Sequence, residues 1–161
     1  MLLVQLLADH RQYVDDAAMV WAQATAVRDG NADVAPLDLS RPVIQAVLDS
    51  SPRSALLVGL DAQEHVVGFA AVAPTGGDGT VAEIYYLGVR PDRWGQGVGR
   101  QLLQALPARL TAAGFAHAQL AVYADNARAV ALYEALGWRP NGAPAPHART
   151  GRLEQQYLLD F

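Results

Sequence analysis

The sequence predicts an α/β fold of the α+β kind, and three observations predict it. Apolar residues recur at helical spacing in several separate segments. Between those segments, residues 55–72 read as a β-hairpin and residues 80–89 as a long strand rich in β-branched and aromatic residues. That strand runs without a linker into Trp94-Gly95-Gln96-Gly97-Val98-Gly99 and from there into a helix. At 161 residues, with 52% hydrophobic and 17% charged residues, the chain has the size and composition of one soluble globular domain, predicted over residues 1–161.

Residues 2–7 form an apolar run that ends at Asp9-His10. The run lacks a basic flank and falls far short of the roughly 20 apolar residues a bilayer span needs, so it reads as a first strand and the protein as cytoplasmic. Val14, Ala17, Ala18, Trp21 and Ala22 give residues 13–28 a helical period, and Asp29-Gly30-Asn31 stops that helix. After a polar loop with Pro36, Ser40 and Pro42 open a second short helix that runs through Leu48. The hairpin strands 55–60 and 66–72 flank a polar turn, and Gly76-Gly77-Asp78-Gly79 turns the chain into strand 80–89.

A helix from Val98 carries Leu102, Leu103, Leu106 and Leu110 on one face. Pro107 sits inside it, where the missing N–H and the ring clash predict a kink or an early stop. Gly114 closes the segment, residues 117–123 form a strand, and Asp125-Asn126 caps a helix through Leu136 that Gly137 terminates. Residues 138–151, broken by Pro140, Pro144, Pro146, Gly142 and Gly151, predict a mobile loop before a last strand at 153–159. No internal repeat is present.

The glycine-dense junction has the chemistry of an anion site. Gly95, Gly97 and Gly99 can take positive φ and let backbone N–H groups converge at the positive end of the helix dipole, where a pyrophosphate would sit. The strict alternation of these glycines does not fit the G-x-G-x-x-G dinucleotide fingerprint, and a Walker loop needs a lysine the chain lacks. All twelve basic residues are arginine and the net charge is −4, which gives nucleic acid or an anionic membrane little electrostatic purchase. Absence of cysteine removes disulfides, thiolate metal sites and cysteine nucleophiles. His10, His65, His117 and His147 show no metal-ligand spacing, so no metal is expected.

Two segments together resemble the GNAT superfamily of N-acetyltransferases. One is the strand-turn-helix 87–103. The other is Asn126-Ala127-Arg128-Ala129-Val130-Ala131-Leu132-Tyr133-Glu134-Ala135-Leu136-Gly137-Trp138, which is similar to the family's N-x-x-A-x-x-x-Y-x-x-x-G-[FW] pattern. The element order also matches. The resemblance implies a central, mixed, mostly antiparallel sheet of about six to seven strands flanked by about four helices, splayed between the fourth and fifth strands. It implies acetyl-CoA as co-substrate, its pyrophosphate held by main-chain amides of Gly95, Gln96, Gly97, Val98 and Gly99 with Arg100 beside them. Trp94 stands where the family pattern [QR]-x-x-G-x-[GA] has Gln or Arg. The resemblance further implies a bulge in the strand before the turn, so that Leu87, Gly88 and Val89 lie along the cofactor's pantetheine arm, with Leu87 and Val89 offering it free backbone groups.

Tyr133 matches the family's general acid, and a phenol with a reference pKa near 10 can protonate a thiolate without being ionised at neutral pH. Asn126, seven residues earlier on the same helical face, is placed both to cap the helix and to reach the cofactor. Glu83, within an Ala-Glu-Ile strand similar to that of the superfamily's histone acetyltransferases, is the candidate base, with water or a merely solvated sheet-face carboxylate as the alternatives. Period-two alternation puts Glu83, Tyr85 and Leu87 on one face as far as the bulge. The two early helices and the loop with Asp29, Asp33 and Asp38 are expected to select the acceptor, a small-molecule amine rather than a protein. Acetylation of a protein N-terminus or lysine, and a non-catalytic acyl-CoA sensor, are the competing readings, and the oligomeric state, a homodimer among the options, stays open.

Overall fold

The structure, a computed structural model, describes residues 2–7 and 12–161. Asp9 and His10, where the first strand is expected to end, lie outside the described residues. The chain begins with β1 (Leu3–Leu7), α1 (Val14–Asp29) and α2 (Leu37–Asp49), followed by β2 (Ala55–Leu60), β3 (Val66–Thr75) and β4 (Val81–Val89). A short 3-10 turn at Pro91–Arg93 leads to α3 (Val98–Ala112), β5 (His117–Tyr123) and α4 (Ala127–Ala135). The chain closes with β6 (Arg139–Pro140), β7 (Ala145–Pro146) and β8 (Leu153–Asp160). The strands form one eight-stranded sheet in the order β1-β2-β3-β4-β5-β8-β6, with β7 beside β8. Its pairings are antiparallel except for β4 with β5, which is parallel.

Neighbouring strand residues bury into opposite layers, so the sheet has a core on each face. Leu57, Val72, Ile84, Leu102, Leu106, Leu110 and Leu120 pack on the α3 and α4 side. Leu56, Val58, Phe69 and Ala71 meet Ala18, Ile44 and Leu48 of α1 and α2 on the other. A Cβ on Gly68 would stand 2.8 Å from a Leu102 methyl, so glycine lets α3 lie directly against β3.

Three expectations are corrected. Helix α2 starts at Leu37 rather than Ser40, because the Ser40 hydroxyl donates back to the Pro36 carbonyl at 3.1 Å from inside the helix instead of capping it. Helix α3 does not stop early at Pro107 but continues to Ala112. An interior proline costs about 3 kcal/mol, whereas each fully buried leucine returns about 1.5–3 kcal/mol, and Leu106 and Leu110 are both fully buried. The segment 138–151 is tied to β8 as β6 and β7 rather than left as a loop. The Asn141 N–H donates to the Gln156 carbonyl at 2.8 Å, and the Gln155 side chain donates to the Gly142 carbonyl at 3.0 Å.

The centre of the sheet is splayed. Strand β4 touches β5 only where Val81, Ala82 and Glu83 meet His117, Ala118 and Gln119, and beyond Glu83 the two strands part. On the β3 side the register shifts, Ala71 opposing Tyr86 and Val72 opposing Ile84, so Tyr85 is the extra residue of a bulge. Alternation breaks there. Ala82 and Ile84 before the bulge, and Leu87 and Val89 after it, all face the α3 and α4 core, whereas Tyr86 faces the other. Glu83 and Leu87 therefore lie on opposite faces, not on one.

Candidate active site

The parting of β4 from β5 leaves main-chain groups without a strand partner. The Arg90 N–H donates to the Val67 carbonyl at 2.8 Å while Val89 stands opposite Gly68. In an antiparallel ladder this makes Phe69 and Gly88 a bonded pair and turns the N–H and C=O of Leu87 and Val89 away from β3. They point where β5 has departed, which gives β4 an open edge suited to an extended, amide-bearing ligand. Gly88 spends its backbone on β3 and makes room for Phe69, since a Cβ there would stand 2.8 Å from the ring. One group of the edge is taken: the Trp94 indole Nε1 donates to the Val89 carbonyl at 2.7 Å.

The open edge ends in the glycine turn. Gly95 and Gly97 have φ of 78° and 83°, and Gly97 is the residue from which α3 springs. Gly99 does not share this conformation: it lies within α3, where a Cβ would meet only a Val89 methyl at 3.7 Å. The turn is exposed, and nothing lies within 4 Å of where a Cβ on Gly97 would be, so a ligand can approach the backbone. Gln96 folds its amide back onto the Asp92 carbonyl at 3.2 Å, Val98 is buried, and Arg100 is exposed on the first turn of α3. These features fit a pyrophosphate, with left-handed glycines, a helix N-terminus and open space in front of it, but the Gln96 N–H, expected among the donors, is spent on the Arg93 carbonyl at 3.3 Å.

Glu83 and Tyr133 stand on either side of the splay. Glu83, facing away from the α3 core, has a buried Oε2 with no hydrogen-bond partner. Burial raises its pKa, Gln119 beside it on β5 opposes the rise, and the negative charge of Glu154 adds to it. Tyr133, on α4 in the opposite layer, is 9% exposed, with the rings of Trp138 and Tyr157 at 6.0 and 6.2 Å. Burial pushes its pKa up to about 12, so the phenol keeps its proton at any physiological pH. The Tyr157 hydroxyl donates to Glu134 at 3.0 Å and the Tyr123 hydroxyl accepts from Thr150 at 3.4 Å, whereas the Tyr133 hydroxyl has no partner among the described residues. Asn126 caps α4, its side-chain oxygen accepting from the Ala129 N–H at 3.2 Å, which leaves its amide nitrogen to other partners.

On the Glu83 face, Asp29 is ion-paired with Arg28 at 2.9 Å, which holds its carboxyl below the usual range and makes it a poor anchor for a cation. Asp33, with Trp21, Thr25 and Asn31, lines a cavity of about 80 Å³ beside α1. Five residues that sequence reasoning did not single out also gather here or at the turn. Gln119 and Glu154 modulate Glu83, and Tyr123 carries the Arg152 guanidinium 3.8 Å over its ring. Arg128 brings its guanidinium to 3.9 Å from the point where a Cβ on Gly95 would stand. Its signal was in the sequence: a cation in the first turn of a helix opposes the helix dipole.

A family model described as the acetyltransferase (GNAT) family matches residues 19–138. The chain is 32% identical to an L-methionine sulfoximine/L-methionine sulfone acetyltransferase of Pseudomonas aeruginosa over 143 residues, 85% of this chain and 74% of that one. It is 33% identical to a mycothiol acetyltransferase of Clavibacter sepedonicus over 135 residues, 84% of this chain and 42% of the relative, so it spans less than half the length of that protein. Among solved structures, the ribosomal-protein-S18-alanine N-acetyltransferase from Escherichia coli superposes with a TM-score of 0.75 at 23% identity, over 99% of this chain and 94% of that one. A Salmonella typhimurium protein determined with its cofactor acetyl-CoA superposes with a TM-score of 0.70 at 21% identity, over 99% and 93% of the two chains. These two share the fold. The open edge of β4 and its glycine turn thus sit within a family match that runs through most of the sequence, and the chain belongs to the GNAT family of acetyltransferases.

Proposed function

We propose that this chain is an N-acetyltransferase that moves an acetyl group from acetyl-CoA to a primary amine of a small molecule, by direct attack with both substrates bound. The observation that carries the reading is the open edge of β4 running into the glycine turn, with Glu83 on one face of the splay and Tyr133 on the other. When bound, acetyl-CoA supplies the activated acetyl thioester. The N–H and C=O of Leu87 and the N–H of Val89 would hold the pantetheine arm, and the amides of Gly95, Gly97, Val98 and Gly99 the pyrophosphate. Glu83 Oε2, unpartnered and with a raised affinity for protons, would accept the proton of the acceptor ammonium. Tyr133 would hold its proton at Oη until the sulfur side of the site needs it. No nucleophilic side chain is required, in keeping with a chain without cysteine. The small-molecule acceptor is favoured by the Pseudomonas relative, which is named for acetylating L-methionine sulfoximine and L-methionine sulfone and aligns with most of this chain.

Titration calorimetry with acetyl-CoA, followed by CoA release against a panel of amino acids, polyamines and peptides, tests the reading. Binding at micromolar cofactor with turnover of a small amine is expected. Turnover of peptides alone would replace the acceptor class, and no binding at high micromolar cofactor would refute the whole proposal.

A further inference from the structure

Arginines surround the glycine turn, but two of them are already committed. The Arg90 Nε donates to Asp92 at 2.6 Å, and Arg93 reaches Asp61 at 3.2 Å. Trp94, at the position where the family pattern places Gln or Arg, brings no cation and turns its indole N–H inward to the Val89 carbonyl. Arg100 and Arg128 remain, neither with a carboxylate partner among the described residues.

The helix termini show the same imbalance. Helices α1 and α2 carry Asp15, Asp16 and Asp38 in their first turns, which neutralises the positive ends of their dipoles. Helices α3 and α4 carry no acidic residue there, and α4 carries Arg128 instead. That guanidinium leans across to Gly95, in the turn that leads into α3. The positive end of a helix and an unpaired cation brought near one another repel unless an anion stands between them.

We propose that Arg128 is a cofactor-binding residue that reaches from α4 to the pyrophosphate and supplies the cationic contact that Trp94 cannot. Trp94 fixes the turn to the end of β4 and Arg128 provides the charge, so the two positions together replace one family side chain. This rests on acetyl-CoA being the ligand of the site.

Calorimetry on the whole chain with acetyl-CoA and with its 3′-dephospho analogue, together with KM for S-acetylpantetheine, tests it. Arg128→Gln should weaken acetyl-CoA binding about tenfold or more, as loss of a charge-assisted hydrogen bond does. The same factor should appear with the 3′-dephospho compound and vanish with S-acetylpantetheine, which has no pyrophosphate. Trp94→Arg added to Arg128→Gln should recover part of the loss. Wild-type chain that binds acetyl-CoA while Arg128→Gln binds it equally well overturns this inference alone. Loss confined to acetyl-CoA and absent from the 3′-dephospho compound overturns it too, by assigning the cation to the 3′-phosphate. Failure of the wild-type chain to bind removes the acetyltransferase reading itself.

Discussion

Replacing Glu83 with glutamine should raise stability and lower turnover together. The Oε2 atom is buried without a partner, and burial is the leading cause of its raised pKa. A buried polar atom left unpaired costs about 1–3 kcal/mol, and the amide keeps some of that cost while removing the charge, so a gain of about 1 kcal/mol is expected at neutral pH. In a domain of this size that corresponds to roughly 2–4 °C in Tm. Because the folded-state pKa lies above the unfolded one, Glu83 is least costly when protonated. Its contribution to stability is most favourable below the unfolded value and declines as pH rises through the folded one. The Tm advantage of Glu83→Gln should therefore be larger at neutral pH than at a pH below the ordinary glutamate value near 4.3. Turnover runs the other way: a general base contributes about 10²–10⁴-fold, and kcat/KM of the wild type should rise with pH on a limb displaced above the ordinary glutamate value near 4.3. Scanning calorimetry at both pH values and initial rates of CoA release supply the assay. A variant with lower Tm at neutral pH and full turnover would refute the assignment of Glu83 as a desolvated, functional carboxylate.

Tyr133→Phe should cut kcat by about 10²-fold or more while shifting Tm by no more than about 2 °C, because the hydroxyl has no hydrogen-bond partner to lose among the described residues. With the phenol pKa pushed up to about 12 by burial, its stabilising effect is complete below the unfolded value near 10 and fades above it, so alkaline unfolding of the wild type should begin earlier than that of Tyr133→Phe. Gly97→Ala and Gly99→Ala should differ in sign. The first forces a side chain to φ 83° and should cost about 1–2 kcal/mol and weaken acetyl-CoA binding in the same calorimetric titration, whereas the second places a methyl in ordinary helical space and should gain about 0.5–1 kcal/mol.

Local signals in the sequence were legible where the chain settles its own conformation. Asn126 caps α4 through its own side chain, and Gly30 ends α1 in the left-handed region with its N–H on the Ala26 and Val27 carbonyls, both of which follow from residue type alone. Gly95 and Gly97 follow likewise. What the sequence concealed depends on groups distant along the chain. Pro107 is carried inside α3 by leucines whose burial needs the sheet, and residues 138–151 find hydrogen-bond partners only after β8 is in place. Trp94 was conspicuous as a departure from the family pattern, yet only the structure shows that its N–H is spent on Val89.

The least legible feature is the one the site depends on most. A single extra residue, Tyr85, has no composition that marks it as a bulge, yet it reverses which face every following side chain takes. Without it, period-two alternation would leave Leu87 on the same face as Glu83, and the open edge would run beneath the carboxylate. With it, Leu87 and Val89 root their side chains under α3 while their backbone lines the gap, and Glu83 stays on the face that α3 does not cover. Glu83 and Tyr133 are thereby kept to opposite faces of the sheet. The direct transfer proposed above would use that arrangement, with the amine arriving from one face and the thioester from the other where β4 and β5 part.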